Sequence, residues 1–100
     1  MDDIILLISI IMIKTQITIS NTLGLHARPS MKLAELCSKF NAEIYIKKDG
    51  KKINAKNMMD ILMLASGYRS QIEILVDGDD EKIAVKEIKS LFSDRFGEES

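Results

Sequence analysis

The only proline of this chain, Pro29, stands where one hydrophobic rhythm gives way to another. Before it, Thr15-Gln16-Ile17-Thr18-Ile19-Ser20 alternates every second residue, the pattern of a half-buried strand. After it the period becomes helical from Ala27 to about Lys39, with Leu33, Leu36, Cys37 and Phe40 sharing the predicted core face and Met31 opposite. Proline fits a helix only in the first turn, where its missing N–H is not needed. The switch point is thereby pinned, and His26, the only histidine, falls at or beside the helix N-cap, just after an Asn21–Gly24 turn.

The alternation resumes from Ala42 to Lys47, with Ile44 and Ile46 facing one way and Glu43, Tyr45 and Lys47 the other. Asp49-Gly50 is a strong hairpin signal, with Lys51 to Ala55 as the return strand. Asn57 caps a short helix through Leu64, closed by Ser66-Gly67. Gln71 to Val76 reads as a fourth strand, with Ile72, Ile74 and Val76 alternating against Glu73 and Leu75. Asp77-Gly78 turns the chain. Asp79 or Asp80 then caps a last helix to about Phe96, with Ala84, Ile88, Leu91 and Phe92 as its apolar face and Val85 flanking. The order βαββαβα predicts an α+β fold of two layers: a four-stranded antiparallel sheet with three helices on one face.

One hundred residues suit a single small domain. A formal charge of −1 leaves no basic field to attract nucleic acid. The lone Cys37 cannot form an internal disulfide and fits a reducing cytoplasm; it reads as packing rather than redox chemistry. One His and one Cys at no ligand spacing argue against a metal site. Ile4 to Ile13 is almost entirely apolar, yet too short for a bilayer span of about 20 residues. It also lacks the positive start and cleavage site of a signal peptide, since Asp2 and Asp3 carry the wrong sign. Residues 1–12 therefore read as an apolar extension, foremost a non-native start with Met12 as the initiator; a weak anchor or an extra strand are the alternatives. Residues 13–100 form the domain. No membrane or cofactor partner is implied.

Chemistry gathers at Gly24-Leu25-His26-Ala27-Arg28-Pro29-Ser30. The first N–H groups of a helix lack internal partners, and the macrodipole leaves partial positive charge there, so the position attracts an anion. The same field disfavours imidazolium, keeping a ring lone pair for attack. Arg28 adds a fork of donors that suits phosphate. Position alone leaves the matter open, because a lone histidine near a helix start is also a common surface or capping residue. Ser30 has no acid partner or base arrangement that makes a triad, and reads as a first-turn serine.

Gly24-Leu25-His26-Ala27-Arg28-Pro29 resembles the active-site signature of HPr, the histidine-containing phosphocarrier family of the bacterial phosphotransferase system. The similarity covers about Ile13 to Gly97, and the element order agrees with the family's open-faced β-sandwich. The resemblance implies that His26 is phosphorylated on Nδ1 by the phosphohistidine of enzyme I, phosphoenolpyruvate being the original donor. His26 would pass the group to an enzyme IIA-type acceptor. It further implies that Arg28 stabilises the phosphate during transfer and that the backbone N–H groups of Ala27 and Arg28 receive it. The protein would act in the cytoplasm, as a monomer, and as a phosphorylated intermediate rather than a stand-alone enzyme.

Many HPr proteins carry a regulatory serine at the start of the second helix. Here the matching position is Asn57, which caps a helix but has no hydroxyl to phosphorylate. By the same resemblance both helix starts face one side, so Leu25, Met31, Met58, Met59 and Leu62 are candidates for a partner-docking surface, while Met63 leans towards the core. Glu35 and Asp60 are expected near the rim of that surface, where sugar-transport members tend to be basic. The runs Met31-Lys32-Leu33-Ala34-Glu35-Leu36 and Ile61-Leu62-Met63-Leu64, with Leu91-Phe92 and the tail Phe96-Gly97-Glu98-Glu99, are similar to the nitrogen-related branch, NPr. Two other classes stand beside the carrier. A non-catalytic regulatory binding module of the same fold does not need His26. A small-molecule-binding regulatory domain needs a polar cluster between layers, which the sequence does not offer.

Overall fold

The structure, a computed structural model, describes residues 12–64 and 66–99. Strand β1 (Met12–Thr18) leads into helix α1 (Ala27–Ser38), followed by strands β2 (Glu43–Lys48) and β3 (Lys51–Asn54). Helix α2 (Met58–Met63), strand β4 (Gln71–Asp77) and helix α3 (Glu81–Ser93) complete the domain, before a single 3-10 turn at Arg95–Gly97. The four strands form one antiparallel sheet in the order β1-β4-β2-β3. The predicted α+β architecture, a four-stranded antiparallel sheet with three helices, is therefore observed. Of the apolar extension expected over residues 1–12, residues 1–11 lie outside the described residues, and Met12 opens β1.

Register explains the core. Ile17 pairs with Ile72, and Ile74 with both Thr15 and Ile46, while Val76 sits between Ile13 and Ile44. Since side chains alternate across a strand, Ile72, Ile74 and Val76 all reach the helical layer and are buried with Ile44 and Ile46. Leu75 points to the other face as its alternation requires, yet is buried between its register partners Lys14 and Tyr45. The hairpin at Asp49-Gly50 is built with positive φ at both residues, 50° and 80°, the combination of a type I′ turn, and Lys48 pairs with Lys51 across it.

Several boundaries differ from the sequence reading. β1 begins at Met12, opposite Asp77, and its ladder ends at Thr18; Ile19 stays buried and keeps backbone bonds to Ser70 and Arg69 at 2.9 and 2.8 Å. The α1 stripe that reaches the core is Leu33 and Cys37 with Pro29, Ser30 and Ala34. The spacing also puts Leu36 and Phe40 there, but both are half-buried at the layer's margin. In α3 the flanking Val85 is buried and Leu91 is the half-buried one. The loop after α2 takes its left-handed residue at Arg69 (φ 68°) rather than at Gly67. α3 stops at Ser93, short of Phe96, because Arg95, Phe96 and Gly97 all turn left-handed, with φ of 53°, 57° and 78°.

Asp80 holds the N-cap position of α3, but its side chain serves another purpose. Its two carboxylate oxygens accept the N–H groups of Asn41 and Ala42, each at 2.8 Å, tying the start of α3 to the entry of β2. The Asn41 bond is the main reason the Asp80 carboxyl is held below its ordinary value of 3.8. A depressed folded pKa stabilises the fold above the ordinary range, and that contribution is lost as pH falls through the folded value. Asp80→Ala is therefore expected to melt below wild type near neutral pH. The gap should narrow in strong acid, as thermal melts across that range will show.

Among the described residues no helix is long and apolar enough to cross a membrane.

Candidate functional site

His26 is the N-cap of α1, with extended backbone (φ −75°, ψ −171°) and no capping bond from its side chain. Its carbonyl accepts the Ser30 N–H at 3.0 Å, the first bond of the helix. Pro29 has no N–H to offer, so the unpaired donors of the first turn reduce to those of Ala27 and Arg28. No acidic residue stands in that turn. The positive end of the dipole therefore meets an imidazole rather than a carboxylate of its own helix. Ser30 is buried and its Oγ donates to Leu25 O at 2.9 Å, which occupies it as a local brace and not as a nucleophile. The Arg28 side chain is exposed, and among the described residues no carboxylate lies within ion-pair distance of it.

The loop before His26 is fixed from two sides. The Leu25 N–H bonds Ser66 O at 2.8 Å, linking it to the segment after α2. Gly24 adopts φ 65°, and a Cβ there would lie 2.5 Å from that same Ser66 O. Only glycine lets the two backbones approach so closely. Asn21, buried, donates through Nδ2 to Gly24 O at 2.7 Å and to Glu98 Oε1 at 2.8 Å. The other oxygen of Glu98 lies 2.8 Å from His26 Nε2. The imidazole side chain is 35% exposed and the Glu98 side chain 18%. The Asn21 bond is the largest influence holding the Glu98 carboxyl below its usual value; burial opposes it, and the His26 contact and the Arg28 charge add to it.

The structure brings some of the predicted surface to His26 and withdraws the rest. Leu62 lines a shallow pocket with His26, Leu23, Leu25, Ser66 and Gly67. Met31 and Met59 are exposed, Met59 at 58%. Met58 and Leu62 are half-buried, Met58 packed against the core. Leu25 is a correction: its side chain is 3% exposed and belongs to the core, because the bond to Ser66 turns the loop inward there. Met63 is the opposite correction. It is 76% exposed, since α2 is only six residues long and buries a single residue, Ile61. Glu35 lines a groove between α1 and α3 with Lys39 and Glu87, away from the His26 pocket. Asn57 caps α2 as expected, its Oδ1 accepting the Asp60 N–H at 3.1 Å. Cys37 is buried, and desolvation pushes its thiol up to about 12, which keeps it a packing residue.

Three residues of the site escape sequence reasoning. Leu23 is an exposed apolar side chain in what reads as a plain turn. Asn21 reads as a turn former, and Glu98 as one of two tail acids. Glu98 lies 72 positions from the histidine it meets, and no local pattern carries that distance. The one available cue is Gly97, a residue suited to a reversal just before the acid. Among the described residues no cluster of acidic, histidine or cysteine side chains could hold a metal ion.

Comparison with known proteins matches residues 13–94 to the family model described as the PTS HPr component phosphorylation site. The phosphocarrier protein HPr of Xylella fastidiosa is 36% identical over 89 residues, covering 89% of this chain and all of that protein. The phosphocarrier protein NPr of Shewanella violacea is 42% identical over 88 residues, covering 88% of this chain and 97% of its own. Among solved structures, HPr-C-His from Thermoanaerobacter tengcongensis superposes with a TM-score of 0.85 at 39% identity, covering 88% of this chain and 99% of that one.

Proposed function

The chain belongs to the HPr family, as a phosphocarrier of the phosphotransferase system, and from this premise we propose that His26 is the residue that carries the phosphoryl group. One observation supports this reading above the others. A half-exposed imidazole stands at a helix N-terminus without a capping side chain, beside two unpaired N–H groups and the exposed Arg28. Nε2 is engaged by Glu98, which leaves Nδ1 as the nitrogen that attacks. In the transfer, the Nδ1 lone pair forms a bond to phosphorus as the donor's own N–P bond breaks, and that pair returns to the donor imidazole. The Ala27 and Arg28 N–H groups and the Arg28 guanidinium meet the phosphoryl oxygens.

The donor in this reading is enzyme I charged by phosphoenolpyruvate, and the acceptor is an enzyme IIA-type protein, both met in the cytoplasm. The carrier acts in this reading as a monomer. Met31, Met59 and Leu62, with Leu23, form the apolar contact around His26. Asn57 leaves no hydroxyl at the start of α2 and hence no serine switch. We place the chain nearer the nitrogen-related branch, a choice favoured by its 42% identity to NPr. Faster transfer to a sugar-type than to a nitrogen-type IIA acceptor overturns that placement.

Incubation with phosphoenolpyruvate and a matching enzyme I should give an acid-labile, base-stable adduct. Arg28→Ala should still fold, since its side chain is exposed. It should accept phosphate about 10- to 100-fold more slowly, the equivalent of one hydrogen bond to a charged group. An unchanged rate removes Arg28 from the site.

A further inference from the structure

The C-terminal tail reaches His26 at a cost in backbone conformation. Arg95 and Phe96 are non-glycine residues in the left-handed region, with φ of 53° and 57°, which L side chains rarely adopt. The turn is held in place by Phe96, which is buried edge-on against Phe92 with ring centroids 4.8 Å apart. Lys32 of α1 also donates to Phe96 O at 2.6 Å. Two residues later Glu98 stands between Asn21 and His26, one carboxylate oxygen for each, at 2.8 Å. A tail that served only to close the core could end its task at Phe96. The strained turn and the Asn21 clamp both act on what lies beyond it, the Glu98 carboxylate.

We propose that Glu98 is a positioning residue for phosphoryl transfer: anchored by Asn21, it selects the His26 tautomer protonated on Nε2 and holds that proton through the cycle. An ionised carboxylate only accepts hydrogen bonds, so a 2.8 Å partner at Nε2 requires the N–H to be there. The Nδ1 lone pair then faces away from Glu98, ready to attack. The depressed carboxyl of Glu98 fits this role, since the group stays ionised across the neutral range. During the outward step the same bond keeps Nε2 protonated. The N–P electron pair returns to Nδ1, and a neutral imidazole with its proton already on Nε2 is left behind. No proton has to be found or lost at the moment of transfer. This role deepens the assignment of His26 as the phosphorylated residue and rests on it for the transfer step, but the tautomer itself does not.

His26 is the only histidine, so nitrogen-15 NMR of uniformly labelled protein reports this one ring directly. Wild type at alkaline pH should show a single tautomer with Nε2 protonated and Nδ1 bare. Glu98→Ala should give a mixture of both tautomers with an unchanged fold by circular dichroism. It should also accept phosphate from phosphorylated enzyme I about tenfold more slowly. Glu98→Gln offers a single acceptor oxygen where Asn21 and Nε2–H each need one, so it should fall between wild type and Glu98→Ala in both tautomer ratio and rate. A wild-type ring protonated on Nδ1, a tautomer ratio indifferent to Glu98→Ala, or a shifted ratio with an unchanged rate each overturns the proposal. If the NMR result holds while wild type takes up no phosphate, the carrier assignment of His26 fails and the tautomer selection stands.

Discussion

His26→Ala will take up no phosphoryl group from phosphorylated enzyme I and will pass none to an acceptor. The loss should be complete rather than partial, because no other side chain at the site offers a nucleophile. Ser30 is buried and donates to Leu25 O. Cys37 is buried with its thiol pushed up to about 12. The fold should survive the change. The His26 side chain makes no capping bond, is 35% exposed, and has Glu98 as its hydrogen-bonding partner. Removing a half-exposed group of this kind costs about 1 kcal/mol or less, within the ordinary range of surface substitutions. Intact mass after incubation with phosphoenolpyruvate and enzyme I, beside a thermal melt, separates lost chemistry from lost structure. A variant that still gains one acid-labile phosphoryl group rules His26 out as the carrier residue.

Gly24→Ala should produce the largest structural damage of any single methyl added near the site. The new Cβ would lie 2.5 Å from Ser66 O and 2.7 Å from Gly67 Cα, both backbone atoms that cannot swing aside. The residue must also hold φ 65°. The left-handed conformation costs about 1–2 kcal/mol and the overpacking about 1–3 kcal/mol, so the sum is roughly 2–5 kcal/mol. The damage should also reach function. Ser66 O accepts the Leu25 N–H, and Gly24 O accepts from Asn21, which in turn holds Glu98. Any shift of this loop moves the partners of His26 together. Gly67→Ala is the control, since its Cβ meets nothing within 4 Å and its φ is not left-handed. Denaturant unfolding of the two variants should place Gly24→Ala far below wild type and leave Gly67→Ala near it. Equal stabilities would mean the close approach of these backbones does not matter.

Much of this fold can be read from periodicity because the sheet buries one face and leaves the other open. Ile44 and Ile46, or Ile72, Ile74 and Val76, must point one way, and a shift of one residue would expose them all. Pro29 and Asp49-Gly50 act as punctuation with one conformational meaning each. The misreadings share a cause. Periodicity says which way a side chain points but not how far the opposing layer extends. Leu36 and Phe40 point inward and find the layer's edge; Met63 sits on a helix too short to cover it; Leu25 is drawn inward by a backbone bond to Ser66 that no local pattern announces. Asp80 likewise stands where a cap belongs, yet bonds a loop 39 and 38 residues upstream.

The site divides along the same line. His26, Arg28 and the first turn of α1 are contiguous, and their chemistry follows from adjacency at a helix start. Glu98 becomes the partner of His26, with Asn21 as its anchor, only because α3 packs and the left-handed turn after it reverses the tail. Long-range polar contacts of this kind leave no periodic trace.

Nitrogen-15 and phosphorus-31 NMR of the wild-type protein, charged with phosphoenolpyruvate and enzyme I, tests the central claim most directly. The account predicts one phosphoryl group, coupled to Nδ1 of His26, which disappears when an enzyme IIA-type acceptor is added. An unphosphorylated ring, or a phosphoryl group on any other residue, would contradict it.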